Sequence, residues 1–298
     1  MRDAIKEIVR DGDTVAIEGF THLICFAAGH ELIRQQKRGL TLARLTPDVI
    51  YDQMIGAGVA SKLVFSWLGN PGVGSLHAIR RRIERADPEP LEIEEYSHFG
   101  MVGRYMAGAA RLPFWPLRSY FSSDLPVVNP NIVALASPFG SETVYAVPPL
   151  HPDVAIVHVQ RADARGDAQI WGVLGCQKEV AFAADRVIVV CEELVDEAVI
   201  RSDPNRSIFP GLIVDAVVVE PRGCHPSYAQ GYYDRDNRFY REWDPIGRDP
   251  EKRETWISEW IRDTDSHQDY VDKLGETRWK ELTPGEAWSG PVNYGRYE

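Results

Sequence analysis

Apolar positions along this chain follow two rhythms. Ile5, Ile8 and Val9 recur at three- to four-residue spacing and predict a short first helix. Asp11-Gly12-Asp13 turns the chain into Thr14–Ile17, a β-type run ending at Gly19. A helix is predicted over Phe26–Arg38 with Gly39 as its C-cap. Strands follow over Leu40–Leu45 and Ser61–Phe65, the second stopped by the Gly-rich stretch Leu68–Gly74. Leu76–Arg85 reads as helix, Leu91–Glu94 as a short strand, and Met101–Ala110 as a helix of small residues ended by Pro113 and Pro116. Later runs at Ile132–Ala136, Val154–Val159, Arg186–Val190 and Val214–Val219 are short and rich in Val and Ile. Continuous β-branched runs separated by helical segments indicate parallel strands buried on both faces. The predicted fold class is α/β: an open, mostly parallel sheet with helices on both faces, plus a helical C-terminal appendage.

That appendage is signalled by a change near Tyr228. The tail is polar, lacks strand runs and carries five of the eight Trp. Asp249-Pro250-Glu251 has the form of an N-cap followed by Pro at the first helical position. Trp256, Ile257, Trp260, Ile261, Tyr270, Val271 and Leu274 are expected to line one side of a helix. Residues 1–232 are read as one α/β domain, and 233–298 as a Trp-rich extension packing on the body or on a partner.

Composition narrows the function classes. The 298 residues carry a net charge of -11, which argues against a generally basic nucleic-acid-binding domain. Charge is uneven: residues 1–120 hold 15 basic and 14 acidic residues, whereas 121–225 hold 7 and 14. Only the first part offers a positive surface to an anionic ligand. Four widely spaced Cys without a C-x-x-C suggest neither a disulfide scaffold nor structural zinc. The charged start resembles no signal peptide, and no apolar run is long enough to span a membrane. The expected setting is soluble, reducing and cytoplasmic, with no metal and no tightly bound cofactor.

Four segments place chemistry-bearing residues at turns. Glu18-Gly19-Phe20-Thr21-His22 ends a buried strand, where open α/β sheets bind ligands; the alternative is an ordinary strand-to-helix turn. Gly69, Asn70 and Gly72 lie in a Gly-rich loop opening a helix with Arg80, Arg81, Arg82 and Arg85. Such a loop can hold phosphate, but the spacing is not G-x-G-x-x-G and the arginines read first as a solvated face. Glu94-Glu95-Tyr96-Ser97-His98-Phe99-Gly100 again joins a strand to a helix. Alternation would point its two glutamates to opposite faces, and His98 is either a site residue or a packed histidine. Cys224 and His225 are adjacent, which suits a tight turn better than a catalytic pair.

An ordered set of segments gives these turns a context. They are DGDTVAIEGFTH near the start, MIGAG at 54–58, EEYSHFGMVGRYMAGAARLPFWPLRS at 94–119, HVQRADARGDAQIWG at 158–172, AADRVIVVCEELVD at 183–196 and VDAVVVEPRGCHPSYAQGYYD at 214–234. In this order the chain resembles the α (A) subunit of family I coenzyme A transferases, that of glutaconate CoA-transferase above all, from about Ile8 to Asp249. The resemblance implies a CoA-transferase-like fold and a homologous β subunit, in an αβ or α2β2 assembly, with the active site between them. It also implies an acyl-CoA and a free carboxylic acid as substrates. A glutamate of the β chain attacks the thioester and carries acyl and CoA groups in turn, which splits one hard exchange into easier steps.

This chain lacks the Glu-Asn-Gly or Glu-Ser-Gly motif of that nucleophile; Glu142 lies in Ser141-Glu142-Thr143. It is therefore expected to act only with its partner and to shape the pocket. Gly19, Phe20, Thr21, Ser97 and Gly100 are the expected substrate-binding residues, His98 and Glu18 the catalytic candidates, and Gly69, Asn70 and Gly72 weaker CoA contacts. Thr21 or His22 is expected to bond an acyl carboxylate or carbonyl. Two positions depart from the family pattern: Glu18 stands where Gly is common, and His98 where many relatives have an amide. A hydrolase branch of the fold opens rings of CoA thioesters with a glutamate of the α-type chain, aligned at Phe99, which this chain lacks. The alternatives are the α-type chain of such a hydrolase, kept in view by His98, and a non-catalytic assembly subunit.

Overall fold

A computed structural model describes residues 1–71 and 74–285. The chain begins α1 (Arg2–Ile8), β1 (Thr14–Glu18), α2 (Phe26–Arg34), β2 (Leu40–Ala43), α3 (Val49–Gly56), β3 (Ala60–Phe65), α4 (His77–Arg85), β4 (Glu92–Glu95) and α5 (His98–Ala109). Next come β5 (Trp115–Leu117), α6 (Leu125–Val128), β6 (Val133–Ala136), β7 (Thr143–Val147), β8 (Val154–Ala162), β9 (Ala168–Gln169) and α7 (Gln177–Ala183). It continues through β10 (Arg186–Leu194), α8 (Glu197–Ser202), β11 (Ser207–Phe209) and β12 (Ala216–Val219) to α9 (Asn237–Arg248), α10 (Pro250–Ile257) and α11 (His267–Glu281).

Parallel strands run in the order β4-β3-β2-β1-β8-β10-β12. An antiparallel β9–β11 pair extends the sheet from β8. Alternation along each strand feeds two cores. Val15 and Ile17 of β1 pack with Val154 and Ile156 of β8 on the face covered by α2 and α3. Ala16 packs with Ala155 and Val157 on the opposite face, against Tyr105 of α5 and Val180 of α7. Tyr51 of α3 pins the strand ends: its hydroxyl donates to Ala43 O (2.9 Å) and accepts the Ile17 N–H (3.2 Å).

Besides elements the periodicity does not announce, such as α3, β7 and α7, the structure departs from it in three of the predicted regions. Ile132–Ala136 contributes β6, which pairs antiparallel with β7 in a separate β5-β7-β6 sheet. Val133 there is 54% exposed, so a β-branched run marks a strand without saying which sheet it joins. Helix α2 stops at Arg34 with Gln35 as C-cap, while Gly39, at φ +65°, belongs to the turn before β2. The tail is not one helix: α9, which the pattern does not predict and which holds Pro245 inside it, precedes α10, a π-turn (Ser258–Arg262) and α11.

Asp249 does cap α10, accepting the Glu251 and Lys252 N–H groups. These C-terminal helices sit on the body through buried polar ties. Trp243 Nε1 donates to Asp52 (3.2 Å), and Arg278 donates twice to Asp236, which also bonds His225 Nε2 (2.8 Å). Among the described residues no helix is long and apolar enough to cross a membrane.

Candidate functional site

Connections from β1 step outward through β2, β3 and β4 on one side, and the sheet resumes on the other side with β8. A reversal of this kind opens a crevice at the carboxyl ends of the strands. There the structure has a cavity of about 280 Å³. The segment after β1 contributes Phe20, Thr21 and Ile24, and the segment after β2 contributes Arg44, Thr46 and Asp48. Trp67 and Pro71 follow β3, and His98 opens α5 after β4.

The first loop is shaped by its backbone. A Cβ on Gly19 would lie 2.7 Å from the carbonyl oxygens of both His22 and Leu23, so no side chain fits. Thr21 and Leu23 follow at φ +59° and +54°, a region costly for a β-branched residue and typical of ligand loops. Second-half contacts hold this conformation: Leu23 N–H donates to Tyr228 O (3.0 Å) and Ser227 Oγ to Thr21 O (2.9 Å).

Arg44 ties the first loop to the second. It is 1% exposed, donating from Nη2 to Gly19 O (2.7 Å) and from Nη1 to Asp48 Oδ1 (3.2 Å). Asp48 in turn caps α3 by accepting the Ile50 N–H. Beneath them Glu18 is 2% exposed, and its Oε1 accepts the Leu45 N–H (2.9 Å) and the Tyr105 hydroxyl (3.0 Å). Burial pushes the Glu18 carboxyl up to about 7, against the opposing pull of Arg44 and the two donors. Glu18 thus braces the floor and is not among the residues lining the cavity.

The other expected residues divide. Phe20, Thr21 and His98 meet at the cavity; His98 is exposed there as the first residue of α5. Ser97 and Gly100 build the helix start instead. Ser97 Oγ accepts the Gly100 N–H (3.0 Å), and a Cβ on Gly100 would lie 1.9 Å from the Tyr120 hydroxyl oxygen. His22 turns away from substrate: Nδ1 donates to Val173 O (3.0 Å) and Nε2 accepts the Gln230 N–H (3.0 Å). Both ring nitrogens are spent on backbone, and burial lowers its basicity to about 4.

The loop after β3 is likewise internal in part. Gly69 is Cβ-free because the Trp67 ring lies across it, 2.2 Å from where a Cβ would stand. Asn70 is buried and donates to Tyr240 O (2.8 Å), tying the loop to α9. Gly72 lies outside the described residues. On α4, Arg82 is buried against Ala60 O, whereas Arg80 pairs with Glu84 on the surface. Glu94 holds Lys62 (2.9 Å), Arg104 (2.8 Å) and the Tyr96 hydroxyl (2.5 Å). Burial favours its neutral form, but these partners prevail and keep the carboxyl below its usual range.

Arg44, Thr46, Asp48 and Trp67 do not stand out in the sequence. The available signal is Asp48 as N-cap after a strand, with Arg44 at the strand's end.

Two other clusters lack a comparable opening for chemistry. His158, Glu192 and Cys224 lie close enough to share a metal ion. Glu192 is already committed, however: Oε1 to His158 Nε2 (2.8 Å) and the Tyr233 hydroxyl (2.7 Å), Oε2 to the Arg222 N–H (2.6 Å). A larger groove of about 350 Å³ runs between α9 and α11 beside Trp256 and Trp260. It is remote from the strand ends in the chain, and its rim cations Arg238 and Arg278 are paired with Glu242 and Asp236.

Comparison with known proteins gives a consistent picture. The family model described as coenzyme A transferase matches residues 1–220. The chain is 52% identical over 276 residues to the A subunit of 3-oxoadipate CoA-transferase from Pseudomonas knackmussii, covering 93% of this chain and 97% of that one. It is 34% identical over 295 residues to the A subunit of glutaconate CoA-transferase from Acidaminococcus fermentans, covering 93% and 92%. The crystal structure of glutaconate coenzyme A-transferase from that organism superposes with a TM-score of 0.90 over 96% of this chain and 95% of that one, at 33% identity.

Proposed function

This chain belongs to the coenzyme A transferase family and is the A subunit of a two-chain CoA-transferase; on that premise we propose that it shapes the acyl half of an active site whose nucleophilic glutamate comes from a homologous B subunit. The observation that carries this reading is the strand-end cavity itself. It gathers an exposed histidine, two threonines and an arginine among Phe20, Ile24 and Trp67, yet no carboxylate in it is placed to attack. Asp48 is committed to Arg44 and to the α3 cap, and Glu18 lies below the floor. Glu142, on the turn between β6 and β7, pairs with Arg118 (3.2 Å).

In this reading the partner's carboxylate attacks the thioester carbonyl of an acyl-CoA and CoA leaves as thiolate. The resulting mixed anhydride is reopened by that thiolate, leaving a glutamyl-CoA thioester and the free acid. The incoming acid then repeats the exchange in reverse. His98 donates a hydrogen bond to the carbonyl oxygen as negative charge develops there. Phe20 and Trp67 exclude water from the anhydride, which hydrolysis would waste. The partner covers exposed apolar residues that follow His98 in the chain: Phe99 is 51% exposed, and Phe121, Val127 and Val128 are at least half exposed.

The acyl group proposed is a short dicarboxylic one, on the model of 3-oxoadipate and glutaconate, the acids named for the two relatives. The hydrolase alternative lacks support at position 99, where Phe stands. Reconstitution with the B chain and treatment with acyl-CoA and borohydride tests the proposal. Borohydride should reduce a glutamyl-CoA thioester on the B chain to the corresponding alcohol with release of CoA, this chain in isolation should be inactive, and His98→Ala should lower turnover with little change in Tm. Turnover by the complex without any such reduced glutamate would overturn it.

A further inference from the structure

Resting on that dicarboxylic reading, we propose that Arg44, held in place by Asp48, is the residue that binds the far carboxylate of the acyl chain and so sets the enzyme's preference for diacids. The inference starts from donor accounting. A guanidinium has five N–H groups in a fixed fork. Arg44 commits one to Gly19 O and one to Asp48 Oδ1. Its Nε lies buried with no hydrogen-bond partner among the described residues, as does Asp48 Oδ2. Leaving such groups unmatched is costly, and these two differ from the other buried polar atoms without partners among the described residues in belonging to side chains that line the cavity.

Both residues border the cavity, whose other walls are largely apolar. A six-carbon chain in this cavity has Phe20, Ile24, Trp67 and Pro71 for its hydrocarbon and one guanidinium, that of Arg44, for a charged end. One feature keeps that cation available to an anion although Asp48 is beside it. Burial pushes the Asp48 carboxyl above its usual range, against the pull of Arg44 and Arg235, which weakens its claim on the guanidinium. A carboxylate forking onto Arg44 gains the geometry that lysine does not reproduce. A methyl-ended acid gains nothing there and leaves the guanidinium buried against it.

The experiment uses the assembled two-chain enzyme and follows CoA transfer from one acyl-CoA donor to a six-carbon dicarboxylate and to a six-carbon monocarboxylate. Wild type should prefer the dicarboxylate. Arg44→Lys should lower kcat/KM for it about 10- to 100-fold, mainly through KM, while the monocarboxylate changes less than about threefold. Equal losses on both acids would mean that Arg44 only supports the loops, and would overturn this inference while leaving the dicarboxylic reading intact. Wild type with no preference between the acids would overturn the dicarboxylic reading itself. If Arg44→Lys fails to assemble, Arg44→Gln, which keeps a donor for Gly19 O without the charge, repeats the test: a fallen preference for the dicarboxylate supports the assignment, and an unchanged one refutes it.

Discussion

Replacing Glu18 by Gln isolates the cost of a buried carboxyl beside the cavity. Glu18 is fully enclosed between the Leu45 N–H, the Tyr105 hydroxyl and the turn after β1. Burial lifts its carboxyl from 4.5 to about 7. A group raised in this way contributes stability that is fully present below its unfolded value and is lost as pH rises through the folded one. The displacement corresponds to about 3 kcal/mol across that window. Gln keeps the carbonyl oxygen that accepts both donors but has no proton to lose. Urea unfolding of the assembled enzyme, at fixed protein concentration and followed by tryptophan fluorescence, should show the two proteins alike at pH 4 and below. The Gln variant should gain as pH rises from about 4.5 through 7 and then hold a lead of about 3 kcal/mol at higher pH. A difference that stays constant with pH, or a wild type that gains on the variant as pH rises, would refute the argument. The second outcome would mean that Arg44 stabilises the carboxylate more than burial penalises it.

Other expectations follow from the same structure. Gly19→Ala brings a Cβ within 2.7 Å of two backbone oxygens, so it should cost about 2 kcal/mol or more and abolish turnover, read by Tm and steady-state assay. His22, depressed by burial from 6.5 to about 4, contributes stability present above pH 6.5 and lost as pH falls towards 4, about 3 kcal/mol in all; His22→Gln should flatten that acid limb of the unfolding profile, and an unchanged limb would exclude His22 as its source. Asp236→Ala strands the Arg278 guanidinium and the His225 ring that it now holds. It should cost about 3–5 kcal/mol and expose α11 to limited proteolysis, with partial recovery when Arg278 is also made Leu.

Much of the frame is legible in order. The Asp-Gly-Asp turn into Thr14–Ile17, and the Val-rich runs at 154 and 186, specify buried parallel strands because nothing else accommodates continuous β-branched residues so cheaply. Gly19 is legible too, because strand ends in such sheets face ligands. Arg44 is not. The sequence places Arg44 inside an apolar run, Leu40–Leu45, with nothing to mark its role, and only its donors to Gly19 O and Asp48 reveal it as an interior tie. His22 misleads for the converse reason. Its neighbours in sequence say nothing of Val173 and Gln230, the long-range carbonyl and amide that consume its nitrogens. The helical tail hides α9 because Pro245 argues against a helix interior. The chain nonetheless continues past it, with Trp243 anchored on Asp52.

The turn that follows β1 takes its outline from its own backbone and from supports lent by other segments, Arg44 among them. Its course depends on a position where only hydrogen fits, on two left-handed residues and on struts from Ser227 and Tyr228. Thr46, Trp67 and His98 reach the cavity from three other connections. Exchanges at those positions therefore change the cavity wall while leaving the supports of the turn in place, so the frame and the lining can vary separately.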